Sequence, residues 1–439
     1  MTAKGAGLGM VTLVVVAITA TYGERVVSRS GRTDRVTVIY WEKWTGAEGQ
    51  AMQRVVDNFN RAQDHIFVKY LSISGVDQKT ILATAGGNPP DIAGIWQEQV
   101  FQFADVGALT DLTEMARQQR LGRDYYISAY FDALSNKGKL WALPSTPASI
   151  ALYVRPDLVP KEFATPETFP KTLEDLDKLS DRITKKDSHG GLALAGFLPS
   201  NPGWWNWAWG PYFGGVVFKD GHPSLENPES IRAFDWVASY AKRYGSQSVQ
   251  NFQSGFGNFA SPQDPFMTGK VATEMNGVWK ANYVKVYKPG LKWFAVPFPY
   301  PADRPDLKGH APLSQDVLVI PKSAKHATEA FEFISYVQRQ DVMEGLCSSH
   351  GKNSPLNVVS ERFFNTHPNK AIRLFDHLAR SPQAFYEPRS GFVPQINTEI
   401  GNVFQEVNAG IKTPREALHD AQLRIDGLYK TYLEQVVAP

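Results

Sequence analysis

The sequence predicts an α/β fold built around a sheet with parallel strands, and three observations support that prediction. Strand-like and helix-like segments alternate from residue 36 to residue 96. Amphipathic helical patterns recur as far as the end of the chain. The 439 residues are 43% hydrophobic and 21% charged, which is the composition of an ordinary soluble protein. That composition excludes a disordered chain and a polytopic membrane protein.

The first three strands and the two helices between them follow from residue periodicity. Met52, Val55, Val56 and Phe59 recur on one face of the first helix-like run. The predicted order is strand 36–41, helix 46–63, strand 66–72, helix 76–85 and strand 91–96. Alternation of this kind implies parallel pairing, with helices covering both faces of the sheet.

The rest of the chain contains further helices and a cluster of indoles. Predicted short strands are 138–144 and 150–154, and predicted helices are 173–183, 230–243, 327–337 and 414–432. Trp204, Trp205, Trp207 and Trp209 follow one another too closely to share one side of a helix. We expect some of these indoles in the core and at least one at a cleft.

Two strand ends carry the same pair of residue types. Glu42 and Trp44 follow the first strand, and Trp96 and Glu98 close the third. Ligands of such sheets bind at the carboxyl ends of the strands. An indole offers a flat stacking face, and a carboxylate accepts hydrogen bonds from hydroxyls. These residues therefore predict a binding site, with simple packing at the sheet edge as the alternative.

Several function classes lack their sequence signatures. Lys and Arg exceed Asp and Glu by only 46 − 44 = 2, so no electrostatic footprint for nucleic acid exists. The single cysteine, Cys347, excludes an intrachain disulfide framework and cysteine-based metal clusters. Neither a phosphate-binding P-loop nor the zinc-protease or serine-hydrolase motifs occur. We expect no cofactor and no bound metal, and no ATP hydrolysis by this chain.

The N-terminus contains a long apolar run at 6–22, preceded by Lys4 and followed by Arg25, Arg29, Arg32 and Arg35. The run is short for a membrane span and long for the apolar part of a signal peptide. Residues 1–35 are therefore predicted to be a signal or membrane-anchor segment and spacer. The remainder is expected in the periplasm or on the outer face of the cytoplasmic membrane, with 6–22 as its anchor.

Five motifs, in order along the chain, resemble those of extracellular solute-binding proteins of bacterial ABC importers. The segment 266–279 reads FMTGKVATEMNGVW, similar to the pattern of the sugar-binding group typified by maltose-binding protein. The segments 86–92, 138–158, 318–336 and 413–425 agree with that group in the same order. The resemblance extends over residues 36–435.

The resemblance implies a two-lobe periplasmic-binding-protein fold with a hinge and an interlobe cleft. Lobe 1 is expected to comprise 36–143 plus 292–337, and lobe 2 to comprise 144–291 plus 338–439. It also implies a monomer that captures a carbohydrate and delivers it to a membrane permease, whose separate ATPase supplies the energy. Nucleic acid is not an expected partner.

The resemblance and the residue chemistry together give a set of candidate ligand-binding residues. Indole stacking is expected from Trp44, Trp96, Trp204 and Trp279. Polar contacts are expected from Glu42, Lys43, Glu98, Gln99, Asn276, Gln315 and Asp316.

Two other functions stay open on the sequence. A glycan hydrolase would need two carboxylates across a cleft, for which Glu42, Glu98, Asp316 and Glu387 are candidates. A binder of a non-sugar solute such as a glycerol phosphodiester would need arginines at the cleft, and Arg389 is the one candidate.

Overall fold

The computed structural model describes residues 35–437. Its strands, in chain order, are β1 Val36–Glu42, β2 Ile66–Ser72, β3 Ile92–Trp96, β4 Ser135–Asn136, β5 Lys139–Leu140, β6 Leu143–Val154, β7 Lys185–Lys186, β8 Leu192–Leu194, β9 Phe218–Lys219, β10 His222–Pro223, β11 Thr273–Gly277, β12 Phe294–Val296, β13 Ala311–Val319 and β14 Ala384–Phe385.

The α-helices are α1 Gly46–Ala62, α2 Val76–Ala85, α3 Gln97–Asp105, α4 Thr113–Gln118, α5 Ser128–Asp132, α6 Leu173–Ile183, α7 Trp209–Tyr212, α8 Pro228–Tyr244, α9 Ser246–Ser254, α10 Pro265–Thr268, α11 Lys280–Tyr287, α12 Ala327–Val337, α13 Gln340–His350, α14 Glu361–Thr366, α15 Ile372–Ala379, α16 Val393–Asn408 and α17 Pro414–Tyr432.

The predicted order of the first segments is confirmed, as is the parallel pairing of their strands. β1 lies between β2 and β3 and pairs with both in parallel. The predicted bounds of α6, α12 and α17 are those of the structure. Clear start signals explain this agreement: the side chain of Thr172 accepts a hydrogen bond from the amide of Asp175, and Thr413 forms a capping box with Glu416.

The two short strands predicted at 138–144 and 150–154 were wrong as separate elements. Residues 143–154 form the single long strand β6, in which every residue is buried. The sequence pattern broke at Pro144 and Pro147, which lack an amide hydrogen. The strand continues because Ser145 is bulged out of register, so that Val317 pairs with Pro144 and Asp316 pairs with Thr146.

β6 and β13 connect the two lobes. The sheet order is β11-β6-β13-β3-β1-β2, with β12 also paired to β6 and β14 to β13. The first half of β6 pairs with β13, which itself lies against β3 of the first lobe. Its second half pairs with β11 of the second lobe and with β12. Two adjacent antiparallel strands therefore form the hinge, while the division of the remaining segments between lobes stays a prediction.

The predicted anchor at 6–22 lies outside the described residues. Within residues 35–437, no helix has the length and apolar character that crossing a membrane requires.

Candidate functional site

A cleft of about 520 Å³ opens between the lobes above the hinge strands. The first lobe contributes residues that follow β1, β2 and β3. The second lobe contributes Phe259, Trp279 and Tyr283. The floor consists of Thr146 and Ala148 of β6, Ser314, Gln315 and Asp316 of β13, and Lys352 beyond α13. The carboxyl ends of the parallel strands thus meet the hinge at one site, as expected for this class of sheet.

Alternating charges run across the cleft floor. The carboxylate of Glu42 accepts hydrogen bonds from the hydroxyl of Tyr40 at 2.6 Å and from the amide of Lys43 at 2.7 Å. The ammonium of Lys43 lies 3.3 Å from Glu42 Oε1 and 3.1 Å from Asp316 Oδ1. The other oxygen of Asp316 accepts hydrogen bonds from Lys352 and from Thr146. The two carboxylates and the two ammonium groups therefore form a row of alternating charge, in which each group is neutralised by its neighbour.

This arrangement controls which groups carry charge. Burial of the Asp316 carboxyl opposes its ionisation, but Lys352 and Lys43 outweigh burial and hold its pKa well below the ordinary value. Burial also opposes the charge of Lys43, and Asp316 and Glu42 outweigh it, so the pKa of Lys43 is raised. Both groups are therefore charged at neutral pH.

Aromatic side chains form the two walls. In the first lobe, the ammonium of Lys43 lies 5.0 Å from the ring centroid of Trp44 and 5.1 Å from that of Trp96. Trp44 is buried against His350, whereas Trp96 is 40% exposed to the cleft. Cation–π contacts of this kind hold the indole faces in place beside the charged floor.

The opposite wall is a chain of rings in contact. The ring centroid of Trp279 lies 6.1 Å from that of Trp205, which lies 5.4 Å from the ring centroid of Trp204. Trp204 packs edge-to-face on Phe259 at 4.7 Å, and Phe259 on Tyr283 at 5.1 Å. Such contacts fix the ring planes without filling the cleft.

Two glycines allow the site to be packed so closely. A Cβ added to Gly94 would lie 1.9 Å from Glu42 Oε2, so the carboxylate of Glu42 rests directly on the β3 backbone. A Cβ added to Gly277 would lie 2.3 Å from the indole of Trp279. Only glycine permits either approach.

A smaller pocket of about 270 Å³ adjoins the cleft and shares Ser314 with it. Glu98, Glu387, Trp204, Trp205 and Trp207 are among its lining residues. Burial raises the pKa of Glu98 to about 7 and, together with the neighbouring charge of Glu98, that of Glu387 to about 8. Of the four clustered indoles, Trp205, Trp207 and Trp209 are buried in the core, and Trp204 is exposed.

The structure brings most of the predicted ligand-binding residues together. Lys43, Trp44, Trp96, Trp279, Gln315 and Asp316 line the cleft, and Glu98 and Trp204 line the adjoining pocket. Glu42 lies beneath the floor and is fully buried, so it supports Lys43 rather than reaching the cleft.

Three predicted residues lie elsewhere. Asn276 is fully buried behind the wall, where it donates to Glu274 and accepts from the amide of Gly277. Gln99 donates to Asp77 Oδ2 at 2.6 Å at the start of α3. Arg389 lines a separate cavity and donates to the backbone carbonyls of Asp132 and Ser135. Strand and helix periodicity could not show these hydrogen-bond partners.

Sequence reasoning missed several residues that line the cleft. Lys352 follows α13, and Phe259 and Tyr283 come from a turn and a short helix of the second lobe. A lone lysine and isolated rings carry no motif, so only tertiary contacts identify them. Across residues 35–437, no three His, Cys, Asp or Glu side chains are grouped as metal ligands.

The match to a family model identifies the class of this protein. Residues 54–358 match the model of the bacterial extracellular solute-binding proteins, and the chain belongs to that family. This family membership agrees with the fold described above, in which two lobes are joined by a hinge and enclose a cleft.

Particular relatives and a solved structure extend this result. The chain is 25% identical over 331 residues to a maltooligosaccharide ABC transporter solute-binding lipoprotein of Streptococcus pneumoniae, over 68% of this chain and 70% of the relative. It is 22% identical to the sn-glycerol-3-phosphate-binding periplasmic protein of Pectobacterium atrosepticum, over 92% and 93%. The structure of CpMnBP1 with mannotriose bound superposes with a TM-score of 0.78 at 26% identity, covering 89% of this chain and all of that one.

Proposed function

We propose that this protein is the extracytoplasmic substrate-binding component of an ABC importer and that it binds an oligosaccharide between its lobes. One observation carries the proposal: indole and phenyl faces from both lobes line one cleft above a floor of paired charges. The mannotriose and maltooligosaccharide in the names of similar proteins support the same ligand class.

The chemistry of a sugar matches this cleft. A pyranose has an apolar C–H face and a rim of hydroxyl groups. Trp96, Trp204 and Trp279 present ring faces or edges that bury the apolar face. Lys43, Gln315 and Asp316 present donors and acceptors to the rim. The side-chain oxygen of Gln315 is buried and has no hydrogen-bond partner among the described residues, so a ligand hydroxyl would satisfy it.

Charge balance favours a neutral ligand over a glycerol phosphodiester. Lys43 and Lys352 are the ammonium groups at the cleft, and Asp316 lies between them. No arginine is among the described residues that line the cleft. An anion would need uncompensated donors, and its phosphate would meet the carboxylate of Asp316. The hydroxyl-rich neutral ligand has no such cost.

The carboxylates support a binding protein rather than a hydrolase. Glycoside hydrolysis needs one protonated and one ionised carboxyl on opposite sides of the bond. Glu42 and Asp316 are held in ion pairs, and Glu98 and Glu387 both have pKa values near or above neutrality. The ionised Asp316 is therefore held by Lys43 and Lys352 rather than free to attack a sugar, and the pair Glu98 and Glu387 lacks an ionised member below about pH 7.

The partners follow from this function. A monomer would deliver its sugar to a membrane permease with a separate ATPase. We also propose that the segment 6–22 directs export or anchors the chain, so that the lobes work in the periplasm or on the outer face of the cytoplasmic membrane. A relative named as a maltooligosaccharide ABC transporter solute-binding lipoprotein supports such an arrangement.

Isothermal titration calorimetry against mannose, mannobiose, mannotriose and the corresponding glucose series tests the proposal. We expect reversible binding without the appearance of new reducing ends. Replacing Trp279 by Ala should weaken binding by about 1–3 kcal/mol, because a buried aromatic contact is lost. Trp279→Phe keeps a ring face and should lose less. An unchanged dissociation constant in Trp279→Ala would remove this wall from the site.

A further inference from the structure

A side pocket of about 420 Å³ lies in the second lobe behind the aromatic wall of the cleft. Asn201, Trp204, Phe259, Asp264 and Glu274 are among its lining residues, and they define what we call the side pocket. None of these residues except Trp204 belongs to the ligand-binding set inferred from the sequence. The side pocket therefore needs its own explanation.

Two deeply buried polar atoms of the side pocket have no protein partner among the described residues. These atoms are Oε2 of Glu274, whose residue is 1% exposed, and Nδ2 of Asn201, whose residue is 8% exposed. A buried polar group without a partner costs free energy comparable to a lost hydrogen bond. Such atoms at a pocket wall indicate that a ligand group completes them.

The neighbouring charges explain why Glu274 keeps one oxygen free. Its Oε1 accepts hydrogen bonds from Asn276 and, at 3.0 Å, from the ammonium of Lys280. Lys280 also donates to Asp264 Oδ2 at 2.6 Å, and Asp264 Oδ1 accepts from the amide of Met267. The ion pair is thus satisfied within the protein, and Oε2 is left for the side pocket.

These atoms select a hydroxyl group. Glu274 Oε2 only accepts hydrogen bonds, and Asn201 Nδ2 only donates them. A hydroxyl can complete either atom, whereas an ammonium group cannot accept from Asn201. Two carboxylates against one ammonium leave a negative charge that repels phosphate or carboxylate ligands.

The side pocket adjoins the cleft. Phe259 lines both the cleft and the side pocket, and Trp204 lines both the side pocket and the pocket that holds Glu98. The edge-to-face pair formed by Trp204 and Phe259 therefore stands at the junction of the three spaces. A ligand lying across the aromatic wall can extend past this pair into the side pocket.

We propose that the side pocket binds a terminal, hydroxyl-bearing unit of the ligand and makes the protein selective for oligosaccharides over single sugars. This inference rests on the proposed function, since it assigns a further subsite to the same ligand. Asn201 and Glu274 are the residues that recognise the terminal unit.

Calorimetry on the purified protein with mannose, mannobiose, mannotriose, glucose, maltose and maltotriose tests the assignment. The wild type should bind a trisaccharide at least tenfold more tightly than its monosaccharide. Asn201→Ala should weaken trisaccharide binding about fivefold to tenfold, the loss expected for one buried hydrogen bond, and change monosaccharide binding less than twofold. Glu274→Gln should act in the same direction. Asn251→Ala, on the exposed face of α9, is the matched control and should bind like the wild type.

The outcomes separate this inference from the proposed function. If Trp279→Ala weakens binding while Asn201→Ala and chain length have no effect, the side pocket is not a subsite and the importer function stands. If no sugar of either series binds the wild type, both proposals fail. A crystal structure with the trisaccharide should place a hydroxyl within hydrogen-bond distance of Glu274 Oε2 and Asn201 Nδ2. Water alone at those atoms would overturn the inference, even where Glu274→Gln does not fold.

Discussion

At the residue scale, the cleft depends on side chains packed directly against backbone. The carboxylate of Glu42 occupies the space that a β-carbon on Gly94 would need. From there it accepts a hydrogen bond from the hydroxyl of Tyr40 and forms an ion pair with the ammonium of Lys43. A ligand-binding lysine is thus positioned by a residue that never meets the ligand.

Replacing Gly94 by Ala should displace Glu42 and lower the free energy of unfolding by about 1–3 kcal/mol, because the added methyl overpacks a buried site. Sugar affinity should fall as well, since Lys43 loses its support. Thermal melting and calorimetry measure the two effects. Gly122→Ala is the matched control, because nothing lies within 4 Å of its added Cβ and its backbone φ is not positive. Equal melting temperatures for the two variants would contradict this account of Glu42.

At the element scale, the two hinge strands are joined by a buried side-chain hydrogen bond, and by Lys352 across both, as well as by their backbone ladder. Thr146 of β6 donates to Asp316 of β13, and Lys352, from the segment after α13, donates to both. The bulge at Ser145 sets this alignment. The hinge therefore carries the polar floor of the cleft, and bending of the strands would move ligand contacts directly.

Removing Lys352 takes the ammonium partner from Oδ2 of the buried Asp316 and leaves Lys43 as the only cation beside that carboxylate among the described residues. Lys352→Met should destabilise the fold by about 3–5 kcal/mol, measured by denaturant unfolding. Arg339→Met removes the exposed partner of Asp341 and should cost less than about 1 kcal/mol. Similar losses of unfolding free energy in both variants would show that the buried contact between Lys352 and Asp316 is not essential to the fold.

Protonation couples the first lobe to the segment after β14. Glu98 and Glu387 line one pocket, and their pKa values are raised from 4.5 to about 7 and about 8. A carboxyl whose folded pKa is raised stabilises the fold fully below its ordinary pKa and loses that contribution as the pH rises through the folded pKa. Ionisation of both would also place like charges together.

The melting temperature should therefore fall between about pH 4.5 and pH 8 by more than in a variant without the pair. Glu387→Gln should flatten this part of the profile, because one of the two titrating groups is gone. Glu167→Gln changes an exposed carboxyl and should leave the profile unaltered. Thermal melts across pH 5 to 9 provide the measurement, and identical slopes for all three proteins would remove the pair as the cause.

At the scale of the whole molecule, two lobes connected by β6 and β13 are able to close on a ligand. The exposed indoles at the cleft, Trp96 and Trp204, are 40% and 44% exposed. Closure on a ligand would bury both between apolar surfaces. Hinged closure also allows complete desolvation of the ligand with access on opening.

Saturating trisaccharide should shift the tryptophan emission to the blue and raise the melting temperature by several degrees, since the ligand binds the folded state only. The double variant Trp96→Phe, Trp204→Phe should lose most of the spectral shift while keeping a ligand-dependent melting temperature. A full shift in the double variant would mean that other indoles report binding.

The sequence alone determined the alternation of strands and helices, the helix bounds set by Thr172 and Thr413, and the strand ends at which Lys43, Trp44 and Trp96 meet. These features depend on local periodicity, capping and the rule that parallel strands end at one edge. Family motifs extended this to two lobes and a shared cleft.

Only the tertiary structure decided which polar groups face that cleft. Asn276 and Gln99 found partners in their own neighbourhood, whereas Lys352 and Phe259 reached the site from segments without a motif. The long strand β6 runs through two prolines because a bulge and a partner strand make their missing amides harmless. Contacts across long sequence separations bring Lys352 and Phe259 to the cleft and pair β6 with β13, and no local window of residues encodes them.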